Sequence, residues 1–407
     1  MTASLRAAIG DVCKVYLSRD EFVLAEVIGF HKGDAQIMPL EHFRGLQPNA
    51  RVVGLGRPLR APVGEALLGR VIDGLCQPID SRGAIEGCGN QLLLREAPSP
   101  LDRPKIATPF VTGQRVLDGL LTLGQGQRIG LFAGGGVGKS TLLGEIAKYA
   151  ESDMNVIALI GERGREVVPF LEDCLGETGR QRSVVIVATA EQPALTRIRA
   201  AQTAITIADH FRRAGKNVLF MLDSITRLAM AQREVGLMLG EPPSARGFTP
   251  SVFQLLAMTM ELLGRTSEGS ITAIITVLVD GDETDEPISD AVRAILDGHI
   301  ILNRRLAEKG HFPAVDVGQS ISRVFREVTT VEHQQHAQKI RQILASYADV
   351  ADLVRAGIYA GGTSQETDRV LQLLPVVNSF LKQELNQHSS FDQTRAFLIK
   401  VASAWPY

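Results

Sequence analysis

The rhythm of hydrophobic and polar positions changes twice along the chain. Over the first sixty or so residues, short apolar runs such as Cys13–Leu17, Phe22–Ile28 and Ala35–Met38 are separated by turn residues, and His31–Asp34 reads as a hairpin turn. That spacing predicts a small all-β module, ended by the Gly- and Pro-rich stretch Gly54–Gly64. From about Leu67 to Val324, apolar strands alternate with helical stretches. Strands are expected at Arg128–Ala133, Val156–Ile160, Val184–Ala188, Val218–Leu222, Ile271–Val279 and Ile300–Leu302, with helices such as Ser140–Ala150 and Ala200–Arg213 between them. Such alternation implies βαβ units and a parallel sheet covered on both faces. Beyond Val331 only helical patterns remain, at His333–Tyr347, Asp368–Glu384 and Phe391–Ser403. The expected fold is α/β, with a β module over 1–64, an α/β domain over 65–328 and a helical domain over 329–407.

Composition narrows the function. With 43 Lys and Arg against 45 Asp and Glu, the net charge of −2 argues against a general nucleic-acid binder, which needs cations to neutralise phosphates. At 45% hydrophobic and 22% charged, the chain is not disordered. Its longest apolar run, Ile271–Val279, falls far short of the roughly 20 residues that span a bilayer. The N-terminal MTASLRAAIGDV does not read as a secretory signal. Cys13, Cys76, Cys88 and Cys174 form no C-x-x-C pair and read as reduced thiols of a cytosolic protein. His333 and His336 have helical spacing but no third ligand nearby, so a surface helix is expected there rather than a metal site.

The strongest chemical signal is the run Ala133, Gly134, Gly135, Gly136, Val137, Gly138, Lys139, Ser140, Thr141. Glycines let successive backbone N–H groups turn inward around phosphate oxygens. The lysine then reaches the β- and γ-phosphates and the serine hydroxyl ligates Mg²⁺. Ala133 stands where the strict pattern has glycine; at a strand end a small residue suffices. About 80 residues later, Val218–Leu222 runs into Asp223, an apolar strand ending in a carboxylate that can hold Mg²⁺. A third acid follows Val156–Ile160 in GERGRE (161–166). That strand is expected to neighbour the phosphate-loop strand, with its carboxyl end on the same crevice. Glu162 could there orient or deprotonate water, with Arg163 near the γ-phosphate.

The AGGGVGKST loop, GERGRE, LDSITR (222–227), AMAQREVGLMLGEPPSARGFTPSVF (229–253), AVRAILDGHI (291–300) and HFPAVDVGQSISR (311–323) together resemble the flagellar and type III secretion export ATPases. These are relatives of the catalytic β subunit of rotary ATP synthases. The resemblance implies a RecA-like P-loop core between an N-terminal β-barrel and a C-terminal helical domain. It also implies Mg²⁺-dependent ATP hydrolysis in a homohexamer. By the same resemblance Lys139 and Ser140 contact phosphate and Mg²⁺, Asp223 is the metal-holding acid, and Glu162 is the catalytic carboxylate. Arg163 and Arg227 match arginines near the γ-phosphate, and Glu166 an acid in the metal's outer shell. Phe312 matches an aromatic against the adenine, with Tyr359 on the ring's other side, and Arg323 an arginine finger given to a neighbouring subunit.

The implied partners are a coiled-coil stalk in the ring's central pore, chaperone–substrate complexes, the export gate at the membrane and a regulator bound through the N-terminus; nucleic acid is not among them. The implied location is the cytoplasmic face of the inner membrane. Family members usually carry one more strand before the position of Met1, so the barrel is expected to lack its first strand, which weakens the regulator and membrane assignments. Gly361–Glu366 is more glycine-rich and less acidic than the family's segment. The run Asp280–Glu286, with five acids in seven residues, matches the pore loop and is expected to attract a basic helical stalk. Two other readings share the phosphate loop. A non-catalytic ring subunit would lack the carboxylate at Glu162, and an RNA translocase would need basic and aromatic residues interleaved in 1–60.

Overall fold

The computed structural model describes all residues except 4, 94–95, 280–285 and 406–407. The acidic run therefore lies outside the described residues, apart from Glu286. The first five strands are β1 (Thr2–Ala3), β2 (Asp11–Tyr16), β3 (Phe22–His31), β4 (Asp34–Pro39) and β5 (Val52–Pro58). They form an antiparallel sheet in the order β1-β4-β3-β2-β5, with β1 and β5 at its ends. Alternation explains the burial: Cys13, Val15, Val23, Ala25, Val27, Ala35 and Ile37 point inward and make a separate small core. The hairpin between β3 and β4 turns at Lys32 and Gly33, both with positive φ (50° and 90°), as a tight two-residue turn of this hand requires.

The larger sheet contains β6 (Val71–Asp73), β7 (Arg128–Ala133), β8 (Met154–Ile160), β9 (Ser183–Ala188), β10 (Asn217–Asp223), β11 (Ser270–Leu278), β12 (Gly298–Leu302) and β13 (Ile321–Ser322). Their order is β13-β12-β7-β11-β10-β8-β9-β6, and these eight run parallel except for the edge strand β13; a two-residue strand, Gly264–Arg265, also pairs antiparallel with β11. Every residue of β8 and β9 is buried, as continuous apolar runs in a doubly covered sheet should be. One expectation needs correction. The strand after the phosphate loop, β8, does not lie beside β7, because β10 and β11 come between them. The chain crosses two positions and later strands fill the gap, a topology that periodicity along the sequence cannot reveal.

The helices that position the site are α1 (Arg115–Leu120), α2 (Lys139–Tyr149), α3 (Gly164–Pro169), α4 (Ala194–Arg213) and α5 (Ile225–Met238). The C-terminal part consists of α6 (Val331–Arg355), α7 (Gln365–Leu381) and α8 (Phe391–Ala402). Each starts at a hydroxyl cap, Thr330, Ser364 or Ser390, whose oxygen accepts an otherwise unpaired first-turn N–H. Ile340, Ile343, Val377, Phe380 and Val401 share one apolar core with Leu117, Leu120 and Ile129, so these helices pack on one face of the sheet. Arg115 reinforces the junction. Its guanidinium donates to the carbonyls of Phe380 (3.1 Å), Ser379 (3.4 Å) and Lys382, where α7 leaves acceptors unpaired. No described helix is long and apolar enough to cross a membrane.

Candidate active site

The phosphate loop links the end of β7 to the start of α2. Ala133 is fully buried as the last residue of the strand, and Val137 is a buried anchor in the middle of the turn. Gly136 and Gly138 take φ values of 75° and 84°, a region that side chains rarely adopt. A Cβ at Gly135 or Gly136 would meet nothing within 4 Å, so it would only fill the open cradle. Gly134 is half-buried at the strand end. The Ser140 hydroxyl makes no hydrogen bond among the described residues, whereas the Thr141 hydroxyl is engaged by Cys174.

The acids converge on Lys139 from neighbouring strands. Asp223 ends β10 opposite Leu159 of β8, and Glu162 lies just past the end of β8. Lys139 Nζ is 2.5 Å from Asp223 Oδ1 and 3.7 Å from Glu162 Oε1. Thr276, on the intervening strand β11, donates its hydroxyl to the same Asp223 oxygen at 2.7 Å. Sequence reasoning missed Thr276; its signal was a hydroxyl interrupting an apolar run. Burial, followed by the nearby Asp223 charge, raises the Glu162 pKa, and Lys139 and Arg227 only partly oppose this. Glu162 Oε1 is buried with no hydrogen-bond partner.

Arg227 sits one turn into α5, whose cap Ser224 accepts its backbone N–H at 3.4 Å. It packs so tightly on Gly161 that a Cβ there would lie 2.6 Å from the Arg227 Cβ. This approach requires glycine, which also adopts φ 72°. The Arg227 Nε is buried without a partner, beside Glu162.

Four expected residues lie apart from this cluster. Arg163 and Glu166 pair with each other at 3.5 Å, and their side chains are 63% and 47% exposed. Arg323 follows the edge strand β13, and its backbone N–H donates to Asp297 at the amino end of β12, across the sheet from the phosphate loop. Its guanidinium is exposed and makes no hydrogen bond or ion pair among the described residues. Tyr359 does not line the cavity beside Phe312; its hydroxyl donates to Ser364 O (3.1 Å) and Asp368 Oδ1 (2.9 Å), in the turn before α7.

The wall opposite Phe312 is built from residues the sequence reading did not single out. A cavity of about 440 Å³ lies against the start of α2, lined by Phe312, Pro313, Gln114, Glu145 and the segment Gln383–Leu385. The Phe312 ring comes within 3.4 Å of where a Gly138 Cβ would stand, and Phe312 remains 44% exposed. Gln383 is the knot of this wall. Its backbone N–H donates to Phe312 O (2.9 Å), its Oε1 accepts from Arg115 N (2.9 Å), and its Nε2 donates to Gly113 O (2.8 Å).

A glycine cradle at the end of a parallel strand, with a lysine and two carboxylates facing it, defines the class of P-loop nucleotide hydrolases. The nucleotide-binding domain model of the ATP synthase alpha/beta family matches residues 113–322, and that family's beta-barrel domain matches 5–56. The T3SS EscN ATPase C-terminal domain matches 329–400. The flagellum-specific ATP synthase of Bacillus subtilis is 48% identical, covering 96% of this chain and 90% of that protein. The type 3 secretion system ATPase of Xanthomonas euvesicatoria is 46% identical, covering 98% and 90%. The assembled ATPase EscN of enteropathogenic E. coli, solved in complex with its central stalk EscO, superposes with a TM-score of 0.90 at 45% identity, covering 98% of this chain and 96% of that one. The chain belongs to the ATP synthase alpha/beta family, within its group of flagellar and type III secretion ATPases.

Proposed function

We propose that this ATPase works as a homohexameric ring that uses ATP hydrolysis to release and unfold chaperone-bound substrates for type III export. The observation that carries the catalytic reading is the half-buried Glu162 carboxylate, whose Oε1 is shielded from solvent, accepts no hydrogen bond and lies 3.7 Å from Lys139 Nζ. Its raised pKa suits a group that takes or orients a proton of the attacking water. Without nucleotide, Lys139 neutralises Asp223; phosphates would draw the ammonium away and free that carboxylate. The Ser140 hydroxyl and Asp223 carboxylate are hard oxygen donors of the kind Mg²⁺ takes, completed by substrate phosphates. A Mg²⁺ ion held by these two residues would neutralise charge on the substrate phosphates. Arg227 stabilises charge on the γ-phosphate from the same chain, and Arg163 and Glu166 act at its margin.

Arg323 is exposed on the far side of the sheet from its own phosphate loop, which favours service to a neighbouring subunit's site. The stalk that EscN binds is the model for a coiled-coil partner in the pore of this ring, drawn by the acids of 280–286. Chaperone–substrate complexes, the export gate, a regulator at the N-terminus and a position at the inner membrane's cytoplasmic face complete the reading. The test is specific activity against protein concentration. Wild type should rise steeply as rings assemble, and Arg323→Ala should still bind ATP but lose about 10³-fold or more in turnover. Flat activity per chain across that range would remove the trans-acting finger.

A further inference from the structure

We propose that Gln114 reads the edge of the nucleobase through its carboxamide, and that this contact selects the 6-amino purine. The inference rests on the reading that the cavity beside Phe312 receives the base. Stacking on Phe312 gives affinity without choice, because every base presents a π-face. Selection needs a hydrogen-bonding group that the wrong base leaves unpaired.

Most polar groups of the cavity wall are already engaged. Glu145 is held by Lys148 Nζ (3.0 Å) and Asn386 N (2.8 Å). Both ends of the Gln383 amide are taken by backbone groups, and the Thr141 hydroxyl is turned to Cys174. Gln114 differs from all of these. It is only 3% exposed, yet its Nε2 has no hydrogen-bond partner. A buried amide left unpaired destabilises the free protein and gains once a ligand pairs it.

The residue is also rigidly seated. Its backbone N–H donates to Thr112 Oγ1 at 3.2 Å, and its carbonyl accepts from Leu117 and Asp118 at the start of α1. The residues on either side, Gly113 and Arg115, are both clamped by Gln383. The terminal χ3 has a broad two-fold profile that lets either end of the amide face the cavity. A glutamine amide presents a donor and an acceptor side by side, the pattern that pairs with adenine's amino group and adjacent ring nitrogen.

The experiment measures equilibrium binding of ATP and of purine riboside 5′-triphosphate, which lacks the 6-amino group, to the full chain with Mg²⁺. Wild type should favour ATP by about 10-fold, the upper range for one net hydrogen bond. Gln114→Met should bind the two within about 2-fold, and its nucleotide-free melting temperature should equal or exceed wild type because the orphaned amide is gone. Gln114→Leu, similar in size and without either polar end of the amide, should also lose most of the preference and serves if the Met variant does not fold. An unchanged ratio in a folded variant overturns this inference alone. Failure of wild type to bind ATP at all overturns the ATPase reading and this one with it.

Discussion

The two halves of the site are built differently. The phosphate half is local and repeats one device: Lys139, Glu162 and Asp223 each stand at or just past the carboxyl end of a parallel strand, and their charges meet within 3.7 Å. The base half is stitched from three distant segments, Gln114, Phe312–Pro313 and Gln383–Leu385, held by backbone hydrogen bonds rather than ion pairs. The difference teaches that chemistry and recognition are separately anchored. The first belongs to the sheet, and the second to the junction between the sheet and the C-terminal helices. Changes in the first half should therefore alter turnover and those in the second should alter affinity.

The sharpest break of that comparison comes from Glu162→Gln. Removing the carboxylate while keeping its shape should cut turnover about 10²–10⁴-fold and leave ATP binding nearly unchanged. The same change should stabilise the fold. Because burial holds the Glu162 pKa above its free value, the folded chain keeps this proton at pH values where the unfolded chain has lost it. Wild-type stability therefore falls as pH rises through that window, and the variant escapes the loss. Single-turnover phosphate release, ATP titration and melting at pH 5 and 8 check the three parts. A variant that hydrolyses ATP at the wild-type rate would remove Glu162 from the chemistry.

The same division explains what was legible in the sequence. The glycine cradle and the acids at strand ends are marked by contiguous runs, so Lys139, Ser140, Glu162 and Asp223 stand out from spacing alone. Strand and helix positions follow from the rhythm for the same reason; Val218–Leu222, for example, lies within β10. What stayed hidden is whatever depends on order in space. The insertion of β10 and β11 between β7 and β8 is one case, and Thr276 reaching Asp223 across it is another. On the base side the aromatic at 359 drew attention, but a ring's chemistry does not reveal that Ser364 and Asp368 hold its hydroxyl elsewhere. Gln114 and Gln383 belong to no contiguous motif, since the partners that give them meaning lie more than 260 residues apart.

Gln383→Ala probes the second half with an intermediate effect. It leaves the Arg115 N–H without its partner in a buried place, at a cost of about 1–3 kcal/mol, and takes one of two donors from the Gly113 carbonyl, which keeps the Ser389 N–H at 3.1 Å. The melting temperature should fall, and the KM for ATP should rise about 10-fold as the wall facing Phe312 loosens. Turnover at saturation should stay within about 2-fold, since no charged group of the phosphate half is touched. A fall in kcat comparable with that of Glu162→Gln would show that the halves are not separable, and the comparison would fail.

The smallest expected effect tests burial as the physics common to both halves. His311, beside Phe312, has its pKa pushed down to about 4, first by burial and then by Lys382 and Lys309. Glu162 is pushed up by the same burial, so each neighbourhood disfavours the charged form, and only Glu162 has opposite charges that partly restore it. The sign for His311 is the reverse of that for Glu162. Its folded value lies below the unfolded one, so between about pH 6.5 and 4 the unfolded chain binds a proton that the folded chain does not. Wild-type stability should therefore drop on acidification through that window. His311→Gln, which cannot charge, should lose about 2–4 °C less in melting temperature between pH 7 and 4.5, the shift that about 1 kcal/mol produces in a domain of this size. Parallel melting curves for the two proteins across that range would place the acid sensitivity at a group other than His311.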